Sequence, residues 1–409
     1  MMSEQKSKRR DWLRVATMAT GAGLLTTTTE SARGYQANDT LHVACIGTGG
    51  RCRRLMSRLV QVPNVKIVAV CDIWDVHLAA AKKLADAKAT TETDYRKLLE
   101  RGDIDAVLIA SPDHWHVPMT VDACNAGKDV YVEKPLTHDL SEGPRVIEAQ
   151  NKNKCIVQVG TQQRSMPHLQ EARKILQSGE IGTVRKIHLT WNRNTARWVK
   201  PDYGIDPKSI PWKQFLGNAP DQPFDEYRFR NWRWFWDFGG GIFTDLMVHW
   251  IDTAHWMLDM HLPASAASIG DHFAAADLWQ TPDTVQTLLH YPKDGIQAYF
   301  EGTFVNHRNR AMIEFMGTKA TLYCDRGRYE VHAERGSDVK SRERIDGKKG
   351  VRGADFFEEV DGALFHLANW VDCVRTRKRP TCPVEEGVKS AAAAHLANMS
   401  VRSGRVAKS

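Results

Sequence analysis

Short apolar runs alternate with amphipathic stretches over the first part of the chain, beginning at Leu41. The runs are rich in β-branched residues and cover 41–46, 65–71, 106–110, 129–132 and 155–159. Amphipathic segments such as 116–126 lie between them and favour helices. Strands of this length, separated by helices, predict βαβ units and a doubly wound parallel sheet, which is the α/β architecture of a Rossmann domain.

The pattern changes after Gly160, where longer strands with polar alternation follow one another without helices between them. These strands are expected at 184–191, 286–291, 296–304, 311–315 and 320–324. They predict an α+β second domain with a mostly antiparallel, open sheet. The strongly charged segment 326–356 is predicted to be a surface excursion, and 365–401 to form helices interrupted near Pro380 and Pro383.

The N-terminal 37 residues differ from the rest of the chain in their pattern of charged and apolar residues. Lys8, Arg9 and Arg10 precede a mildly apolar stretch, 15–25, and the adjacent arginines resemble a twin-arginine (Tat) export signal. A disordered basic tail is the alternative. We therefore expect a leader (1–37), a nucleotide-binding Rossmann domain (38–160) and a substrate-binding domain with C-terminal helices (161–409), in a periplasmic or secreted protein.

Charge and composition exclude several classes of partner. The formal charge is +7, but the leader supplies six basic and three acidic residues, and the remaining excess forms no basic block. Nucleic-acid binding is therefore not indicated. No apolar run reaches the roughly 18 residues of a membrane span, so stable membrane insertion is not expected. The eight cysteines are scattered without a C-x-x-C pair, which is typical of buried small hydrophobes rather than of disulfides or a zinc site.

A glycine-rich turn follows the first predicted strand and opens a helix. It contains Gly47, Thr48, Gly49, Gly50 and Arg51, and Cys52 stands where a third glycine would complete G-x-G-x-x-G. Such a turn presents backbone N–H groups and a helix N-terminus to a pyrophosphate. Asp72 ends the second strand, where an acid would bind the ribose hydroxyls of NAD. Together, turn and acid predict dinucleotide binding, with NADP less favoured.

Several motifs resemble those of the Gfo/Idh/MocA oxidoreductase family and occur in its order along the mature chain. They are G-T-G-G-R (47–51), V-C-D (70–72), A-S-P-D-H-W-H (110–116), E-K-P (133–135) and G-G-x-x-x-D-x-x-x-H-x-x-D (240–252). G-T-Q-Q-R-S (160–165) is similar to an exported, Tat-signal-bearing branch of that family. The resemblance implies NAD as cofactor and a homo-oligomer. It further implies cofactor contacts by the glycine turn, Asp72, Ser111, Pro112, His116, Glu133, Lys134 and Gln162.

Lys134, Asp245 and His249 are the predicted catalytic residues. Asp245 and His249 are spaced i, i+4, so a helix beginning at the glycines would carry both on one face. A histidine has a suitable intrinsic pKa to accept a hydroxyl proton during alcohol oxidation. Lys134, at a strand end, would stabilise developing alkoxide charge, and Asp245 would orient the pair. The resemblance implies the same roles, although a capped structural helix is the plainer interpretation of the spacing alone.

Eight of the thirteen tryptophans lie between Trp191 and Trp256. At least half of them are expected in the core, but aromatic rings beside arginines also suit the faces and hydroxyls of a sugar. The candidate substrate residues are Arg164, Tyr227, Arg230 and Trp232. His114 and His116 form an H-x-H pair without a third ligand at a fixed spacing, so no metal site is predicted.

These features predict an NAD(P)-dependent oxidoreductase that transfers hydride between a secondary alcohol of a sugar or polyol and a nicotinamide. The first alternative is an NAD-dependent glycoside hydrolase that oxidises a ring carbon transiently. The second is a catalytically silent sugar or nucleotide sensor. The intact Lys134, Asp245 and His249 argue against the sensor, but they do not separate the two enzymes, since both begin with the same hydride abstraction.

Overall fold

The computed structural model describes residues 39–195, 199–355 and 360–409, and the leader lies outside them. The first sheet has six parallel strands in the order β3-β2-β1-β4-β5-β6, which is the doubly wound Rossmann order. Its strands are β1 Leu41–Ile46, β2 Val65–Cys71, β3 Thr90–Glu92, β4 Ala106–Ile109, β5 Asp129–Val132 and β6 Val157–Val159. β1, β4 and β5 are almost wholly buried, as expected for strands covered on both faces.

Five helices connect these strands: α1 Gly50–Leu59, α2 Asp75–Lys82, α3 Tyr95–Leu99, α4 His116–Asn125 and α5 Glu142–Asn153. α1 begins directly after the glycine turn and buries Cys52, Leu55, Met56 and Leu59. These residues recur at helical spacing and cover one face, which packs towards the sheet. The carboxyl ends of β1, β2, β4 and β5 therefore carry the glycine turn, Asp72, Ser111 and Lys134, respectively, to one edge.

The second sheet has nine strands in the order β14-β13-β12-β11-β7-β10-β9-β8-β15. All its neighbours are antiparallel except β7 and β10, which confirms a mostly antiparallel sheet. Its strands are β7 Lys186–Asn192, β8 Ser265–Asp271, β9 Thr284–Tyr291, β10 Ile296–Thr303, β11 Ala311–Met316, β12 Ala320–Cys324, β13 Arg328–Ala333, β14 Arg342–Ile345 and β15 Ala407–Lys408. Burial alternates strictly along β9, so one face is covered and the other is open.

The expectation of a surface excursion at 326–356 is wrong for 326–331, which is buried, whereas 332–350 is largely exposed. This segment contains β13 and β14, and Arg326 is fully buried. Its charges pair within the sheet, since Arg328 lies 3.5 Å from Glu330 and Arg352 lies 3.2 Å from the same carboxylate. Charged residues can occupy strands when they form ion pairs with their neighbours. The sequence shows the charges but not their pairing, so strands were not predicted in this segment.

The remaining helices are α6 Pro167–Gln177, α7 Trp212–Leu216, α8 Glu226–Arg230, α9 Val248–Leu258, α10 Gly362–Thr376 and α11 Val384–Ser403. The last two return to the Rossmann domain: Trp370 of α10 packs edge-on against Tyr131, and Arg377 pairs with Asp129 at 2.6 Å. The break between them spans Pro380 and Pro383, as predicted. Within the described residues, no helix combines the length and apolar character needed to cross a bilayer.

Candidate active site

A cleft of about 310 Å³ runs along the carboxyl edge of the parallel sheet. One wall is the Rossmann domain, with Gly47, Gly49, Gly50, Arg51, Asp72, Ser111 and Pro112. The other wall comes from the second domain, with Gln214, Phe215, Phe229, Arg230, Trp232 and Arg233. Ligands of open α/β sheets bind at this edge, so the cleft is the expected dinucleotide site.

The glycine turn has the local geometry that a pyrophosphate requires. Gly47 has a φ of +73°, and a Cβ there would lie 2.6 Å from the backbone of Ser111. A side chain is therefore excluded both by the positive φ and by the neighbouring loop. The hydroxyl of Ser111 is buried at the cleft and has no hydrogen-bond partner among the described residues. This unpaired group and the close-packed turn fit a bound dinucleotide.

Arg51 joins the glycine turn to the strand end that carries Lys134. Its Nε donates to Glu133 Oε1 at 2.8 Å, and its Nη2 donates to Gln162 Oε1 at 3.3 Å. Gln162 Nε2 is buried and has no hydrogen-bond partner among the described residues. The three predicted cofactor residues thus form one cluster beside the cleft.

Asp72 lies at the end of β2 with its carboxylate turned to the cleft. Its Oδ1 accepts from the N–H of Trp74 at 3.0 Å, and its Oδ2 accepts from Thr48 Oγ1 at 3.3 Å. His77 Nδ1 lies 3.4 Å from the same Oδ2. These contacts hold the carboxylate where the ribose hydroxyls of a dinucleotide would lie.

Lys134 and Asp245 form a direct ion pair across the two domains. Lys134 Nζ donates to Asp245 Oδ1 at 2.9 Å and to the carbonyl oxygen of Asp245 at 2.6 Å. Arg233 Nε donates to the same Oδ1 at 3.2 Å. Burial alone would raise the pKa of Asp245, but the charges of Lys134 and Arg233 outweigh it and hold the pKa below its ordinary value. Asp245 is therefore an anion that fixes two cations.

The segment carrying Asp245 and His249 is not the regular helix that the spacing predicted. Phe243–Met247 form a π turn, and α9 begins directly after it at Val248. Asp245 thus lies in the widened turn and His249 in the first turn of α9. Single π turns inside helices are frequent at functional sites, where they re-aim side chains.

His249 is buried beside the charged pair. Its ring centroid lies 5.2 Å from that of Trp191, whose other neighbours include the guanidinium of Arg326 at 5.0 Å. Burial first, and then the positive charges of Lys134 and Arg326, lower the pKa of His249 well below 6.5. The imidazole is therefore neutral at pH 7 and can accept a proton.

The ring of His116 bridges the loops that follow β4 and β5. Its ring lies between the carbonyl oxygens of Pro135, 2.6 Å from Nδ1, and Ser111, 2.9 Å from Nε2. Burial lowers its pKa to about 4, so the neutral ring donates to one of the two oxygens. His114 Nε2 lies 2.9 Å from the carbonyl oxygen of Phe215. In the parts of the chain that the structure describes, no three His, Cys, Asp or Glu side chains converge as metal ligands.

The candidate substrate residues divide into two groups. Arg230 and Trp232 line the cleft. Arg164 and Tyr227 are buried and are not among the described residues that line it. Tyr227 accepts from Trp279 Nε1 at 3.0 Å, and Arg164 binds Asp252 through two 2.8 Å hydrogen bonds.

The comparisons with known proteins agree with this geometry. The model for the Gfo/Idh/MocA oxidoreductase family, NAD-binding Rossmann fold, matches residues 41–161, and that for the family's C-terminal domain matches 169–337. The chain belongs to this family. It is an oxidoreductase with an NAD-binding Rossmann domain.

Relatives of this oxidoreductase include the uncharacterized oxidoreductase YrbE of Bacillus subtilis, 23% identical over 88% of this chain and 94% of that protein. An inositol 2-dehydrogenase of Salmonella typhimurium is 35% identical, over 36% of this chain and 45% of its own length. A glycosyl hydrolase family 109 protein of Solibacter usitatus is 34% identical over 34% of this chain and 35% of its own length.

Solved structures share the fold over most of the chain. Myo-inositol 2-dehydrogenase from Lactobacillus plantarum has a TM-score of 0.69 and 26% identity, over 90% of this chain and 99% of that one. A levoglucosan dehydrogenase solved with NADH has a TM-score of 0.71 and 18% identity, over the same shares of the two chains.

The oxidoreductase should prefer NAD to NADP. Asp72 would accept hydrogen bonds from both ribose hydroxyls, and its charge would repel a 2′-phosphate. We expect calorimetry to give a dissociation constant for NADP at least about tenfold larger than that for NAD. Equal or tighter binding of NADP would contradict this assignment of Asp72.

Arg164 and Asp252 form a buried ion pair in the oxidoreductase that ties α9 to the C-terminal helix. Ser390 of α11 donates to the same Asp252 carboxylate at 2.8 Å, and Glu386 lies 3.3 Å from Arg164. Asp252 is fully buried, whereas Glu386 is partly exposed. The pair therefore fixes the helix that carries His249 against α11.

Replacing Asp252 by alanine should lower the free energy of unfolding by about 3 kcal/mol, because it leaves a buried guanidinium short of its main counter-charge. Glu386→Gln is the matched control and should cost about 1 kcal/mol or less, since this carboxylate is more exposed. Urea unfolding of both variants measures the difference. A loss for Asp252→Ala no larger than that for Glu386→Gln would contradict the proposed role of the pair.

Among the cleft residues that the sequence analysis of this oxidoreductase did not predict, two contact predicted site residues directly. Arg233 contacts Asp245, and His77 contacts Asp72. His77 lies five residues after Asp72, in the first turn of α2, so its nearness to Asp72 in the sequence was the signal that could have identified it. Arg233 is adjacent to Trp232 in the aromatic segment, but its contact with Asp245 depends on how that segment folds back.

Proposed function

We propose that the oxidoreductase transfers a hydride between a secondary alcohol of a sugar or polyol and NAD. The observation that carries this proposal is the Lys134–Asp245 ion pair beside a neutral, buried His249. These three are not among the described residues that line the cleft, but Arg233, which lines it, contacts Asp245. Such a site offers one proton acceptor and one fixed cation for the same hydroxyl.

The roles of the residues follow from their charges. His249, neutral at pH 7, accepts the hydroxyl proton as the alcohol is oxidised. The ammonium of Lys134, which donates to Oδ1 and to the backbone carbonyl oxygen of Asp245, stabilises the negative charge that develops on the substrate oxygen. Arg233 shares the Asp245 carboxylate and keeps it in place. NAD, when bound in the cleft, supplies the hydride acceptor.

A carbohydrate or polyol fits the second-domain wall. Trp232 lines the cleft, with the guanidinium of Arg233 4.1 Å from its ring centroid. Aromatic faces bind the C–H faces of sugars, and guanidinium groups donate to hydroxyls. The names of the inositol and levoglucosan dehydrogenases agree with this substrate class.

A glycoside hydrolase that uses the same first step is the second candidate. The likeness to glycosyl hydrolase family 109 proteins supports it. Incubation of the NAD-loaded enzyme with myo-inositol, D-glucose, levoglucosan and p-nitrophenyl glycosides separates the candidates. A keto sugar or keto polyol with net NADH supports the oxidoreductase. Release of nitrophenol without net redox change would replace it with the hydrolase, and turnover of none of these probes would favour a sensor.

The oxidoreductase is also proposed to form a homo-oligomer through the open face of its second sheet. Ile269 of β8 and Leu288 of β9 are 82% and 60% exposed on that face. Apolar side chains exposed on a sheet are typical of a surface that packs against a partner. Light scattering of the purified protein measures the oligomeric state.

Export through a Tat signal would place this chemistry in the periplasm. If Arg9 and Arg10 form that signal, replacing both by lysine should hold active protein in the cytoplasm. Cell fractionation followed by a blot measures the distribution. A double variant that still reaches the periplasm would show that the leader is no Tat signal.

A further inference from the structure

Arg230 lies opposite Asp72, at the ribose end of the cleft rather than at the catalytic end. It is the last residue of α8 and belongs to the second domain. Its Nη1 lies 3.4 Å from His77 Nε2, and His77 Nδ1 lies 3.4 Å from Asp72 Oδ2. All three residues line the cleft. The row Asp72–His77–Arg230 therefore crosses the cleft where the first ribose of a dinucleotide would lie.

Aromatic neighbours hold the Arg230 guanidinium in this position. It lies 5.2 Å from the ring centroid of Trp74 and 5.4 Å from that of Tyr203. Phe229, the preceding residue, packs edge-on against Trp74 at 5.6 Å. Two cation–π contacts limit the rotamers of this long side chain, which lines the cleft.

The segment that carries Arg230 is tied to the Rossmann domain at a second place. Gln214 Nε2 donates to the carbonyl oxygen of Thr93 at 2.8 Å. Trp115 Nε1 donates to the carbonyl oxygen of Phe215, also at 2.8 Å. The second-domain side of the cleft, which carries Arg230, is therefore hydrogen-bonded to the nucleotide-binding domain.

We propose that Arg230 is a cofactor-binding residue which the second domain supplies, and that two opposing charges set the choice between NAD and NADP. The carboxylate of Asp72 disfavours a 2′-phosphate, and the guanidinium of Arg230 favours it. A guanidinium binds a phosphate through two parallel hydrogen bonds. In the native protein the carboxylate of Asp72 repels a 2′-phosphate. Without that carboxylate, Arg230 and His77 form a phosphate site that is already assembled. The inference depends on the dinucleotide site and not on the identity of the substrate.

The test is a binding cycle with four proteins: wild type, Asp72→Ser, Arg230→Ala and the double variant. Calorimetry gives the affinity of each for NAD and NADP without any turnover. Asp72→Ser should gain about tenfold or more in NADP affinity, and the double variant should lose that gain. Arg230→Ala alone should weaken NAD binding by a few fold. Lys213→Ala, an exposed lysine on α7 beside Gln214, is the control and should bind both nucleotides as wild type does.

Two results would overturn the proposal. One is a gain in NADP affinity that is as large in the double variant, which has alanine at position 230, as in Asp72→Ser, which keeps the arginine. The other is no NADP gain in either Asp72→Ser or Asp72→Asn, the second variant keeping a side chain of the native size if serine disturbs the loop. Because every readout is nucleotide binding, a protein that turns over none of the sugars can still pass this test, and an active enzyme can fail it.

Discussion

Replacing Lys134 by alanine should lower the rate of hydride transfer by ~100 to 10,000-fold, the range typical for loss of a positioned proton-transfer or charge-stabilising group. The variant removes the cation that donates to both the carboxylate and the carbonyl oxygen of Asp245. Arg233 would remain hydrogen-bonded to Asp245 through its Nε, so this group would not replace the Lys134 ammonium. Single-turnover kinetics with NAD and the fastest-reacting probe polyol measure the effect.

The control for this variant is cofactor affinity. Lys134→Ala should bind NAD within about threefold of wild type if the lost interaction acts mainly in the transition state. A rate within tenfold of wild type would remove Lys134 from the reaction. A large loss of NAD affinity with an unchanged rate at saturation would make it a binding residue only.

Replacing His249 by glutamine should also cost ~100 to 10,000-fold, because glutamine keeps the approximate size of the ring but cannot accept the hydroxyl proton. His255→Gln is a matched control on the same helix. His255 is equally buried, with its Nε2 3.0 Å from the hydroxyl of Tyr291, and lies outside the cluster around Lys134. It should retain catalysis within a few fold, whatever its effect on stability.

The pH dependence provides an independent check on His249. Because burial and the neighbouring cations lower its pKa, the base stays neutral as the pH falls through 6.5. The acid limb of kcat/KM should therefore lie below pH 6.5, the ordinary histidine value. An acid limb of kcat/KM at or above pH 6.5 that is the same in His249→Gln would contradict this assignment. The titrating base would then be a group other than His249.

Local sequence patterns singled out several residues that the structure brings together at the cleft. The glycine turn and the acid at the end of β2 are short-range features, since each follows a strand whose apolar run is clear in the sequence. The structure places Gly47, Asp72 and Ser111 around one cleft. Lys134 and Asp245 lie 111 residues apart, and their contact was anticipated from the resemblance rather than from any periodicity.

Features that depend on tertiary packing were not predictable in this way. Arg230 lies in an aromatic, arginine-bearing segment and Arg164 in the 160–165 motif, and both were predicted as substrate residues. The fold turns Arg230 to the ribose end and buries Arg164 against Asp252, because α11 returns from the far end of the chain. The strands at 328–333 and 342–345 were not recognised because of their charge. In the structure Arg328 pairs with Glu330 on its own strand and lies 3.9 Å from Glu343 on the neighbouring strand.

Hydride transfer at this site can be followed through the hydrogen itself. The enzyme would be incubated with NAD and a probe polyol carrying deuterium on every carbon, and the nicotinamide recovered and analysed by mass spectrometry. We expect reduced cofactor that carries one deuterium per molecule in wild type, and none detectable in Lys134→Ala over the same time. Reduced cofactor without deuterium, or an unchanged yield from Lys134→Ala, would contradict hydride transfer at this site.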